Sequence, residues 1–345
     1  MGAQRSLITR RRLLELGAGC ALPAVFGCGK RDQASVLSGL VTEVVLGMAR
    51  ELRAESSSLH AAVRALSAEP GPERKRTAQA AFKRATLAWK RAYAFRTGPF
   101  VASAAFQRAA FWPTRASLID AVLTAREPID EQRVEQLGVD ARGLYALEYL
   151  LFDESHARAI LAPSDDQGER ARGYALGLSA NVLGYANRIQ RSLGDGHTYA
   201  ASFSNAGKAS VDTLAAQMLD TLTVVSGKFA RIERARSEGR PLAFAVEGYF
   251  SGSSLEIVLA IVAGTKRLYL GGGSGGLSAL VASASKPIDE HVCAAFGEAE
   301  RRLRALDMPL EVALDAQPSR FGAAAAAVVE LRHVIEVEML SALAS

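Results

Sequence analysis

From Gly143 to Phe152 the chain carries one charge, Glu148, in an otherwise uncharged and mostly apolar run, GLYALEYLLF. No breaker follows Gly143, and the run is long enough for about three helical turns. A helix that is apolar nearly all round must be enclosed by others. Glu148 is thereby carried into a bundle interior, where a carboxylate needs a partner, a metal or a proton. The segment argues for helix packed on helix and makes Glu148 the first candidate functional residue.

The rest of the chain agrees. Few stretches alternate with period two, so an all-α fold is expected. Apolar residues at helical spacing predict helices over residues 37–66 and 77–96, and Arg96 falls on the face of Phe82, Trp89 and Tyr93. Pro113 suits the first position of a helix reaching about residue 124. Further helices are expected over 173–193, 210–237, 286–306 and 320–343. Ser253-Ser254-Leu255-Glu256 has the form of a capping box opening another, which the glycine run 271–276 ends. The turn Gly194-Asp195-Gly196 divides this into a first bundle, residues 37–195, and a second, residues 196–345. No convincing internal sequence repeat connects them.

The first 27 residues read as a targeting segment rather than as fold. Thr9-Arg10-Arg11-Arg12-Leu13-Leu14 fits a twin-arginine export signal, followed by an apolar stretch broken by Glu15 and Pro23. Val25-Phe26-Gly27-Cys28 resembles a lipobox, with Cys28 as the lipidated residue and residues 28–36 as a tether. This predicts a protein anchored on the periplasmic side of the cell envelope by lipid, without spanning the membrane. Plain cleavage to a soluble periplasmic protein is the alternative. The leader carries four Arg and one Glu, so only +2 of the formal +5 remains for the rest of the chain. That balance does not suggest a nucleic-acid partner. After cleavage Cys293 is the only thiol, so an internal disulfide is excluded.

The segment Gly143–Phe152 resembles the signature helix of imelysin-like proteins, Gly-x-His-x-x-Glu followed by an aromatic residue and leucines. WKRAYAFRTGPF (residues 89–100), FWPTR (111–115) and YFSGSSL (249–255) resemble the family in the same order. The resemblance implies two bundle-like halves related by a pseudo-repeat. It also implies a link to periplasmic iron uptake and a history of classification as metallopeptidases. Tyr145 stands where the motif has His.

In the motif, His and Glu three apart point the same way from one helix and could together ligate a metal, iron or zinc. A neutral phenol at Tyr145 is a poor replacement, which leaves Glu148 as the tentative metal ligand. The competing reading pairs Glu148 with a buried arginine, Arg96 or Arg115. Ser251, Ser253 and Ser254 open a helix whose free N–H groups could hold an anion, although simple capping by Ser253 also suits them. The G-x-S-x-G and G-x-G-x-x-G matches at 271–276 follow a helix rather than a strand and carry no weight. Glu330-x-x-His333 lacks the second copy that a di-iron bundle needs. No H-E-x-x-H occurs.

The sequence therefore predicts an imelysin-like envelope protein binding iron or a metal-related ligand in a cleft between two helical halves. Glu148, Tyr145, Arg96, Arg115 and the Ser251–Ser254 turn are expected around that cleft, and iron-uptake components are the expected partners. An imelysin-type metallopeptidase and a structural or interaction lipoprotein are the alternatives. The missing motif His favours binding over hydrolysis.

Overall fold

The computed structural model describes residues 32–162 and 166–344. The arginines Arg10 to Arg12 of the expected export signal and Cys28 of the expected lipobox lie outside them. The principal helices are α1 (Leu46–Ala68), α2 (Pro72–Ala92), α3 (Gly143–Phe152) and α4 (Asp166–Leu193). After them come α5 (Lys208–Ser237), α6 (Ser254–Leu270), α7 (Lys286–Arg304) and α8 (Pro318–Val334). Among the described residues there is no strand, only an isolated bridge between Gly272 and Gly275. The fold is all-α, and no helix among these residues is long and apolar enough to cross a membrane.

Helix α1 packs between α2 and α4, and α3 lies against α4 and α2. Later in the chain α6 packs on α5 and α7, while α8 covers α7 and α5. The joint between the earlier and later helices is α2 against α6. Its closeness depends on Gly264, where a Cβ would sit 2.1 Å from the Arg91 carbonyl oxygen, a backbone atom that cannot swing aside. Gly264→Ala is therefore expected to force the two helices apart and cost about 1–3 kcal/mol, as overpacking does. Unchanged urea unfolding of that variant would show that the joint is not tight.

Two helix boundaries differ from the sequence reading in ways that bear on function. Helix α2 starts at Pro72, in the first turn where its missing N–H costs nothing, and ends at Ala92. Arg96 consequently lies in the turn beyond it rather than on its face. The helix expected from Pro113 begins at Ala116 instead, because Arg115 is extended and spends its N–H on the Asp140 carbonyl, 2.8 Å away. This leaves Phe111 to Arg115 as an irregular segment.

Candidate functional site

Gly143 is the first residue of α3 and has φ +76°. A Cβ there would lie 2.5 Å from the Ala109 carbonyl oxygen, so only glycine lets the segment leading to Trp112 pass so close. Helix α3 then carries Tyr145 and Glu148 inward; Glu148 is 3% exposed.

Among the described residues no arginine meets Glu148. Its Oε1 accepts the Ser251 backbone N–H at 3.0 Å and the Ser251 hydroxyl at 2.6 Å. Burial pushes its pKa up to about 7, the two Ser251 hydrogen bonds oppose the shift, and the Glu247 and Glu311 carboxylates add to it. The expected arginine partners are engaged elsewhere. Arg96 pairs with Asp220 and donates to the Tyr93 carbonyl at 2.8 Å. Arg115 is largely exposed and pairs with Asp140 at 3.2 Å.

The three serines also separate. Ser251 belongs to Glu148. Ser253 does not cap α6 with its side chain: its backbone (φ −109°, ψ 16°) lacks the extended conformation that points a cap side chain at the helix N–H groups. Its hydroxyl turns to the Ser251 carbonyl at 3.4 Å. Ser254 donates to Glu311 at 2.5 Å and accepts the Leu310 N–H at 2.8 Å, tying α6 to the first turn of the short helix Leu310–Ala316.

A second buried carboxylate forms the centre of the site. Glu247 receives Lys90 of α2 at 2.5 Å and also Lys228 of α5. Burial by itself would raise the Glu247 pKa, but the ammonium groups of Lys228 and Lys90 outweigh it and hold the carboxylate well below its usual range. Lys90 is lowered, by burial first and by the neighbouring Lys228 cation, against the pull of Glu247. Tyr145 lies beneath, with Lys90 Nζ 5.2 Å from its ring centroid. Burial, and then Glu247, push the Tyr145 pKa well up; its hydroxyl faces that carboxylate without the alignment of a hydrogen bond.

Lys90, Glu247 and Lys228 form the floor of a cavity of about 450 Å³ between α2, α5 and α6. Tyr93, Arg96, Trp112 and Arg231 line its walls. Glu148 does not line it. Together with Tyr145 and Phe250 it borders a narrow crevice on the other side of Trp112. Of the residues expected around the cleft, Arg96 lines the cavity, while Tyr145, Glu148 and Ser251 lie beside it. Arg115, Ser253 and Ser254 are not brought to it.

The sequence reading missed Lys90, Lys228, Arg231 and Glu247. The signal for Glu247 was present: it is the lone charge between Pro241 and Leu255, the same pattern that exposed Glu148. Lys228 is likewise the lone charge between Asp220 and Arg231.

These donors do not fit a resident metal. Among the described residues no three His, Cys, Asp or Glu side chains converge as a metal would require. Glu247 is committed to two ammonium groups and Glu311 to Ser254. Glu330 and His333 are exposed on α8.

The fold is shared with solved structures. An imelysin-like protein from Psychrobacter arcticum 273-4 superposes with a TM-score of 0.72 at 15% identity, covering 90% of this chain and 95% of its own. A protein assigned as an iron-regulated protein A precursor from Parabacteroides distasonis ATCC 8503 superposes with a TM-score of 0.69 at 16% identity, covering 91% and 96%. No curated protein is a significant sequence match. The family profile of imelysin, peptidase family M75, matches residues 45–336, nearly the whole described chain. With the signature helix in place around Gly143 and Glu148, and the family profile running through both sets of helices, this chain belongs to the imelysin family.

Proposed function

We propose that this protein is a cell-envelope binding protein for an iron-related ligand, held in the cavity between α2, α5 and α6. The observation that carries the reading is the cavity itself, with a largely buried charged floor of Lys90 on α2, Lys228 on α5 and Glu247 in the turn before α6. Burying Lys90 and Glu247, and most of Lys228, is costly, and a chain that needed only a stable core would do better with apolar side chains there. Volume and mixed aromatic and charged walls suit a small molecule. The iron connection draws on the structural neighbour assigned as an iron-regulated protein A precursor. Export through the twin-arginine leader and a lipid at Cys28 belong to the same proposal, as does the placement of the site between two helical halves. Binding is favoured over hydrolysis because no set of side chains for a catalytic metal converges among the described residues.

The test is calorimetric titration of the mature protein with iron(II), iron(III) and iron(III) held by small chelators. At least one form is expected to bind with one-to-one stoichiometry. Absence of saturable binding for every form would end the proposal.

A further inference from the structure

Three features of the cavity concern charge. First, Lys90 and Lys228 share the single carboxylate of Glu247, so one positive charge on the floor is not neutralised. Second, Arg231 has no carboxylate partner among the described residues. Its guanidinium is placed instead by the Trp112 ring, with Cζ 4.9 Å from the centroid, and Lys228 Nζ lies 5.5 Å from the same ring. Cation–π support fixes a cation in position without cancelling its charge. Third, Arg96 stacks on Tyr93 at 3.9 Å and is neutralised by Asp220 at the cavity edge. The balance over these groups is about two unneutralised positive charges facing one small space, counted from full charges on each group.

Such a space repels a bare metal cation and attracts an anion. Guanidinium and ammonium groups set over the same ring can bind carboxylate oxygens directly. We propose that the ligand is a small polycarboxylate anion, free or as its metal chelate, held by Lys228 and Arg231 over the Trp112 ring. This rests on the binding reading above and narrows it. A chelate brings its own metal ligands, so a chain with no converging set of metal-ligating side chains can still take up the metal. The protein then reads the chelator's carboxylates and never touches the ion. Glu247 holds the place of an acid group inside the cavity and keeps Lys90 and Lys228 apart and oriented.

The experiment uses citrate, iron(III) citrate, inorganic phosphate and iron(II) chloride as titrants, measured by calorimetry on the mature protein and on two variants. Arg231→Met removes an exposed side chain, and Lys228→Met leaves Glu247 its bond to Lys90, so both variants should fold; equal melting temperatures check this. Citrate or iron(III) citrate is expected to bind wild type, with the comparison of the two showing whether the metal is needed. Each variant should weaken that binding by at least about tenfold, and rising salt should weaken it further. Binding of iron(II) alone, untouched by Arg231→Met and with citrate inert, would overturn the anion assignment while leaving an iron-binding function intact. Tight phosphate binding with citrate inert would overturn the carboxylate assignment. No saturable response to citrate or its iron chelate at millimolar concentration would also overturn it, while the binding function itself falls only if every iron form titrated above is inert as well.

Discussion

Glu247→Ala is expected to lower folding stability by on the order of 3–5 kcal/mol near neutral pH, because it strands the buried Lys90 ammonium, and the partly buried one of Lys228, without a counter-charge. Lys90 and Glu247 are 5% and 6% exposed, so water cannot take over the lost interaction cheaply. Adding Lys90→Met to Glu247→Ala should recover part of the loss, since it removes the more deeply buried of the stranded cations. The pH dependence follows from the depressed pKa of Glu247. Its contribution is complete above the unfolded carboxylate value of 4.5 and is lost as the pH falls below that toward the depressed folded value. Urea unfolding of both variants across pH measures this. A cost under about 1 kcal/mol for Glu247→Ala would place the network among weakly coupled surface pairs and remove the rigid floor from the cavity.

Glu148→Gln should act in the opposite direction. Glu148 titrates near 4.5 in the unfolded chain and at about 7 in the folded one, chiefly through burial. Between those values the folded state holds the proton that the unfolded state has released. Stability therefore falls as pH rises from about 4.5 to about 7 and then levels off, by roughly 3 kcal/mol in total. The Gln side chain keeps an acceptor for Ser251 and has no charge to bury. The variant should match wild type near pH 4.5 and exceed it at pH 8, with a flatter profile. Parallel profiles for the two proteins would mean that Glu148 is ionised at no unusual cost. An arginine partner would have reversed the outcome, because removing the charge would then have stranded a buried cation.

Helix class and the burial of Glu148 were legible because each is written in local pattern. Spacing of apolar residues along 46–68, 208–237 and 286–304 is a property of neighbours in the chain. A lone carboxylate between Gly143 and Phe152 says that the position is enclosed, whatever encloses it. The identity of the partner is not local. Ser251 lies 103 residues from Glu148, and Glu247 lies 157 residues from Lys90. Either carboxylate could have met an arginine on composition alone, and Arg96 and Arg115 were chemically reasonable choices.

Packing made the selection. The loop before α6 brings Ser251, rather than a cation, onto Glu148, and the crossing of α2 over α6 at Gly264 brings Lys90 within reach of Glu247. The early end of α2 turns Arg96 out toward Asp220, and the extended backbone of Arg115 sends that side chain to Asp140. By itself, then, the sequence determined that this chain is helical, that Glu148 is buried, and which family pattern it follows. Only the tertiary structure decided which charges meet, because Coulomb and hydrogen-bond energies depend on distances of a few ångströms that no spacing along the chain encodes.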